Sequence, residues 1–351
     1  MKKKILLFML IMVVTLALAA CGGGSSDNNQ DGSTDSNTPS GDAAPSDAIH
    51  IKFSWVTPVE GTAHRLLYDK LSEKVEEYSD GQIIVDAYGA GALGSEKDVC
   101  EALQLGNVDM VLTGVSVLSY WTQDFAVFDL PGMLESYEHA YKVYDSDYIT
   151  SRFADMEKLG WHVFGMTDVG FREFVSNIPM DTPDDIVGKN MRVPETPILI
   201  EFYKDMGASP VTIAYTEVYN ALENGTFDAV DMPIPTHYSN KFYEAGKYFY
   251  RLYLTPTSDL LMYSQPLWEK LTPEQQDAIS RAAADAIEYV RAELPNLEQQ
   301  CLDAMEQEGI EIVNVDMQVW YDKIRKDVWP QMAANGVIDM DEVNEIVSMA
   351  D

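Results

Sequence analysis

Two of the chain's eight arginines stand where a guanidinium has chemical work to do. Arg172 lies in Gly170-Phe-Arg-Glu173, just after an expected strand, and Arg192 lies in Lys189-Asn-Met-Arg-Val-Pro194. An arginine on a short strand between apolar neighbours is hard to place in a core without an anion. The guanidinium is a planar fork that meets a carboxylate through two parallel hydrogen bonds. Either the anion is a ligand or it is one of the chain's 57 acidic side chains. For Arg192 the residues alone leave these two readings evenly balanced.

A second pattern points elsewhere. Gly89-Ala-Gly91-Ala-Leu-Gly94 fits GxGxxG, follows a strand, precedes a helix and has Asp109 downstream, as a dinucleotide site would. Two features argue against a cofactor there. The run follows the second expected strand rather than the first of its unit, and the chain carries an export signal. A glycine turn feeding Ser95 as a helix cap is the simpler account, and no cofactor is expected. GxSxG, HExxH and P-loop signatures are absent. His50, His64, His139, His162 and His237 show no metal-ligand spacing, so each reads as a surface or satisfied interior histidine, and no metal site is expected. Nothing singles out a catalytic carboxylate pair, so a binding protein is expected rather than an enzyme.

The elements that must position these residues follow from periodicity. Ile51 to Val56 alternates as a strand. Ala63, Leu66, Leu67, Leu71, Val75 and Tyr78 recur at helical spacing. Ile83 to Tyr88 is a second strand, Ser95 with Asp98 forms a capping box for a helix to about Leu105, and Asp109 to Leu112 is a third strand. This β-α-β-α-β run implies a parallel sheet covered by helices. A second series begins at Trp161, with strands at 188–194 and 227–232 and helices at 195–207 and 217–224. Thr272-Pro273-Glu274 starts a helix that runs to about Glu308, with Pro295 marking either a kink or a break between two helices.

The first residues are an address. Lys2, Lys3 and Lys4 precede an apolar run from Ile5 to Ala20, which is shorter than the ~20 residues of a membrane span. The run ends in Leu18-Ala19-Ala20-Cys21, matching the lipobox of a bacterial lipoprotein signal peptide. An uncleaved anchor with an incidental Cys21 is the alternative. Residues 22–48 hold no aromatic or large aliphatic side chain that could seed a core, and read as a flexible tether. The formal charge of −33 becomes −36 once the three lysines leave with residues 1–20, which excludes a nucleic-acid partner. Cys100 and Cys301 read as buried free thiols rather than a bridge.

Jointly, several segments resemble the solute-binding proteins of TRAP (tripartite ATP-independent periplasmic) transporters, the DctP-like family. They are Gly91-Ala-Leu-Gly94, Gly106-Asn-Val-Asp109, Asp184 to Pro194, Met206-Gly-Ala-Ser-Pro210, Glu217 to Leu222 and Gly225-Thr-Phe-Asp228. The resemblance covers residues 50–350. It implies an α/β, two-lobed type II periplasmic-binding-protein fold with crossing hinge strands and a long lobe-spanning helix. Residues 49–169 with about 257–297 would form lobe I, and 170–256 with about 298–351 lobe II.

It also implies a small organic acid held between the lobes and handed to TRAP membrane permease subunits; with the lipobox, the expectation is a monomer anchored outside the cytoplasm through lipid on Cys21. Arg192 would bind the carboxylate, Arg172 would assist, and Tyr215 would line the pocket. Where many members have Gln-Glu-Asn-Pro, this chain has Val230-Asp231-Met232-Pro233, so a thioether replaces a hydrogen-bonding amide. Thr113 and Gly114 lack the acid of some sialic-acid binders. Trp55 and Glu60 are expected to face the cleft from the first lobe, with Glu60 accepting from ligand hydroxyls or simply solvated. A binding protein serving a sensor or another transporter type, or an extracellular hydrolase, are the competing readings.

Overall fold

A computed structural model describes residues 48–350; the signal segment, Cys21 and the tether lie outside the described residues. The first β-α-β-α-β run forms as its pattern dictates. Strands β1 (Ile49–Ser54), β2 (Ile83–Tyr88) and β3 (Met110–Gly114) pair in parallel in the order β2-β1-β3. Helix α1 (Ala63–Tyr78) buries Ala63, Leu67, Leu71 and Val75 along one face. Helix α2 (Glu96–Gln104) starts at a complete capping box: the Ser95 side chain accepts from the Asp98 amide, and the Asp98 carboxylate accepts from the Ser95 amide.

One strand then joins two sheets. Strand β4 (Trp161–Ser176) runs antiparallel to β9 (Pro256–Ser264) in the first sheet up to Phe171. From Arg172 to Ser176 it pairs instead with β7 (Ala229–Pro233), which continues in parallel to β5 (Asn190–Val193) and β6 (Ser209–Thr212). The changeover is a register irregularity between Asp168 and Phe171, at Gly170 with φ +123°. A Cβ at Gly170 would stand 3.0 Å from both a Glu298 carboxylate oxygen and Pro233 Cβ, so the bend needs glycine for backbone and space alike.

The return crossing is clamped by a buried acid. The Glu173 carboxylate accepts from Arg251 Nε at 3.0 Å, from the Tyr253 amide at 3.0 Å and from the Leu252 amide, in the segment between β8 (Tyr248–Arg251) and β9. Strand β8 pairs with the end of β4 and, in parallel, with β10 (Ile312–Asn314).

The helix from Pro273 to Gln307 is continuous through Pro295, so the alternative of two separate helices does not hold. Its first half buries Ile279, Ala282, Ala286 and Leu294 with α1 and the first sheet, and its second half buries Cys301, Leu302 and Met305 with the second. It therefore ties the lobes together. A third core lies between the sheets and the remaining helices, reaching from Val99 and Phe128 to Trp329 and Ile346. Cys100 and Cys301 are buried and unbridged. No helix among the described residues is long and apolar enough to cross a membrane.

The glycine-rich run has a packing explanation. A Cβ on Gly89 would lie 2.5 Å from Trp55 Cζ2, so the absent side chain makes room for the indole. Gly89→Ala is expected to destabilise the protein by about 1–3 kcal/mol through overpacking, read as a lower denaturation midpoint in urea. An unchanged midpoint would show that the indole has room to move.

Candidate ligand-binding site

Loops at the carboxyl ends of β1, β2, β3, β5, β6 and β7 converge on one cleft between the sheets, the usual ligand position in open α/β folds. It holds an outer chamber of about 270 Å³ and an inner one of about 80 Å³. Arg192, Glu96, Tyr215, Ser116, Val56 and Pro194 border both.

Arg192 comes from β5, whose alternation buries Met191 and Val193 and sends the guanidinium into the cleft. It is 3 % exposed. Its Nε and one terminal nitrogen donate to the Ile213 carbonyl at 3.0 and 2.7 Å, and no carboxylate pairs with it among the described residues. Burial, and then the neighbouring Arg172 charge, pull its pKa from the usual 12.5 down to about 10. The site thus holds a desolvated cation that an incoming anion would relieve.

Arg172 has a different state. Its Nε donates to the Asp231 carboxylate at 2.7 Å, and a terminal nitrogen donates to the Asp231 carbonyl at 2.9 Å. It borders the inner chamber, but its charge is already matched. Asp231 is fully buried as this counter-ion and does not line either chamber, which corrects its expected place in the ligand site. Tyr215 and Met232 do line the cleft, with the Tyr215 hydroxyl accepting from Asn240 Nδ2 at 2.6 Å.

Side-chain direction corrects the expectations for Trp55 and Thr113 and decides between the two for Glu60. Trp55 is 0 % exposed and belongs to the first lobe's core, tilted against Phe53 and Tyr68; Val56 and Thr57 reach the cleft instead. Glu60 points to solvent, 82 % exposed, with Arg65 at 3.2 Å. Thr113 sits on the buried side of β3 beside the Cys100 thiol, and Gly114 borders the cleft.

The structure also brings in groups that sequence reasoning missed. Glu96 stands at the first turn of α2 facing the cleft; withdrawal from water, and then the Asp259 carboxylate, raise it to about 7. His64 Nε2 lies 3.1 Å from the buried Asp259 carboxylate. Thr57 and Thr257 line the inner chamber, and their buried hydroxyls have no hydrogen-bond partner within the protein. The Ser95 capping box offered a signal for Glu96; nothing local links His64 to Asp259, which lie on α1 and β9. His237 and His139 are interior histidines bonded to the Glu173 and Ile346 carbonyls. No group of acids, histidines and cysteines among the described residues could hold a metal ion.

Both kinds of comparison, by sequence and by structure, lead to one family. Residues 53–335 match the model of DctP, "Bacterial extracellular solute-binding protein, family 7". A solute-binding protein of Roseobacter denitrificans is 31 % identical over 259 residues, covering 73 % of this chain and 79 % of that one. The C4-dicarboxylate-binding periplasmic protein DctP of Rhodobacter capsulatus is 28 % identical over 265 residues, covering 75 % and 79 %. A TRAP periplasmic solute-binding protein from Bordetella bronchispeptica, with density assigned to pantoate, superposes with a TM-score of 0.80 at 25 % identity, over 86 % of this chain and 99 % of that one. With its two-sheet α/β fold and its cation-bearing cleft, the chain belongs to the DctP family, the extracytoplasmic solute-binding proteins of TRAP transporters.

Proposed function

We propose that this protein captures a small organic acid between its lobes and delivers it to a TRAP-type membrane permease, while lipid on Cys21 keeps it at the outer face of the membrane. The observation that carries the reading is Arg192: a guanidinium 3 % exposed, in a cleft, with only a carbonyl for a partner. A ligand carboxylate would supply the missing anion through a charge-assisted fork, in surroundings where screening by water is weak. Arg172 backs this charge from behind, already neutralised by Asp231. Tyr215 and Met232 wall the ligand's carbon skeleton. Energy coupling belongs to the permease, so the binding protein itself needs no catalytic group. The C4-dicarboxylate-binding relative and the solved structure with density assigned to pantoate support a carboxylate ligand. The 28-residue stretch from Cys21 to Ala48 suits a tether, since its Gly, Ser, Asp and Asn residues leave a wide reach.

Two measurements test the reading. Arg192→Ala should weaken acid binding by about 2–5 kcal/mol, a ~30-fold or larger rise in Kd, by calorimetry on the full chain in mild detergent against a panel of organic acids. Its ligand-free melting temperature should hold or rise, because an unpaired buried charge is removed. A melting temperature that collapses with no change in affinity would make Arg192 a structural residue. Cys21→Ala should abolish incorporation of a fatty-acid label in the native bacterium; continued labelling would place the lipid elsewhere.

A further inference from the structure

The two walls of the cleft differ in a way that narrows the ligand. On the second-lobe wall, Arg192 is the single buried cation without a carboxylate among the described lining residues. Arg172 is matched by Asp231, His64 stands against Asp259, and Lys97 lies at the outer mouth over the Tyr120 ring at 4.6 Å. On the first-lobe wall the acids are Glu96, which faces Arg192 with no cation paired to it among the described residues, and Asp259, which borders the inner chamber against His64. A second ligand carboxylate would meet these acids, and a like-charge juxtaposition costs several kcal/mol.

The same wall has hydrogen-bonding capacity left over. Thr57 is 7 % exposed, and its hydroxyl has no partner; the Thr257 hydroxyl is likewise unpaired. Each can donate one hydrogen bond and accept others, and an ionised Glu96 can only accept. A buried hydroxyl left without a partner is costly, so these groups are suited to ligand hydroxyls, which also both donate and accept. The inner chamber, at about 80 Å³, is the smaller of the two. It can take the carboxylate and its neighbouring carbons, leaving the rest of the chain for the larger outer chamber beside Glu96.

Resting on the proposed function, we infer that the ligand is a hydroxylated monocarboxylate, of aldonate or uronate chemistry, rather than a dicarboxylate. Arg192 takes the one carboxylate, Thr57, Thr257 and Glu96 take hydroxyls, and the acids of the first-lobe wall exclude a second negative charge. A site built to hydrogen-bond ligand hydroxyls also rejects analogues that lack them, by large factors.

The test is calorimetry and thermal shift on the full chain in mild detergent at pH 8, where Glu96 is largely ionised. The probes are L-threonate, D-gluconate and D-glucuronate as hydroxy acids, succinate as a dicarboxylate, hexanoate as a bare monocarboxylate, and sorbitol as a neutral polyol. At least one hydroxy acid is expected to bind tenfold or more tightly than succinate and hexanoate, with sorbitol silent. Succinate or hexanoate binding as tightly as every hydroxy acid, or no hydroxy acid binding at all, overturns the inference and leaves a carboxylate ligand standing if any acid binds. Sorbitol binding as tightly as the acids would overturn the carboxylate reading too. Two variants check the residues. Glu96→Gln should narrow the gap between the best hydroxy acid and succinate, and Thr57→Val should weaken that hydroxy acid several-fold without changing hexanoate. An unchanged gap and unchanged affinities in folded variants would remove these side chains from recognition.

Discussion

A guanidinium buried without a counter-ion is the constraint around which this molecule is arranged. Moving such a charge out of water costs several kcal/mol, and a stable fold ordinarily repays it with an internal carboxylate. Here the repayment is left open at Arg192, while Arg172 is paired in full with Asp231. The paired arginine makes the unpaired one harder to keep, since its charge is among the causes that lower the Arg192 pKa. The fold must therefore gain its stability elsewhere: in three apolar cores and in a 35-residue helix packed on both lobes. Stability is given up locally at a site whose use requires an unmet charge.

Holding that charge in place demands a rigid frame on one side and a bend on the other. Strand β5 carries Arg192, and its neighbours β6 and β7 fix it in a parallel sheet. The bend is confined to where β4 and the segment before β9 cross between sheets. There, Gly170 supplies the backbone conformation, and Glu173 pins the crossing segment through two backbone amides and Arg251. Burial raises the Glu173 carboxyl to about 7, while Arg251 and the two amides work to hold it ionised. Removing its side chain would orphan two amide donors at one of the backbone crossings between the lobes.

What the sequence revealed depended on the range of the interaction. The capping box at Ser95 and the helix start at Thr272 were legible because their signals lie within four residues, and both form. Helix α1 was legible because its apolar residues are 3.6-periodic. The long antiparallel strand β9 was not, since it is buried along nearly its whole length and shows no alternation. Site residues divided in the same way. Arg192 stood out because an isolated charge on a short apolar strand is itself an anomaly. Trp55, Thr113 and Asp231 were near the cleft in the chain but on the wrong face, since a shift of one position in a strand reverses side-chain direction. Glu96, His64 and Asp259 were missed because only the tertiary fold assembles them from two helices and a strand. The GxGxxG run shows the opposite error: a motif with every glycine present, whose first glycine serves an indole rather than a phosphate.

The contacts that span the cleft suggest why the ligand, rather than the protein, should decide closure. Asp129 accepts from Ser116 on the first lobe at 2.7 Å and from Thr196 on the second at 3.0 Å. Nearer the mouth, the Tyr120 hydroxyl donates to Glu195. Hydrogen bonds to charged groups contribute about 1.5–3 kcal/mol net, and neutral ones about 0.5–1.5. Burial raises the Asp129 carboxyl, which subtracts from its share. Against these few bonds stands the cost of keeping the Arg192 guanidinium from water, which closing around an empty cleft would raise. An anion offsets that cost by supplying the countercharge that Arg192 lacks. A ligand shifts such an equilibrium only by its differential affinity for the two forms. A carboxylate that meets Arg192 fully only when the walls come together has that difference built into its geometry.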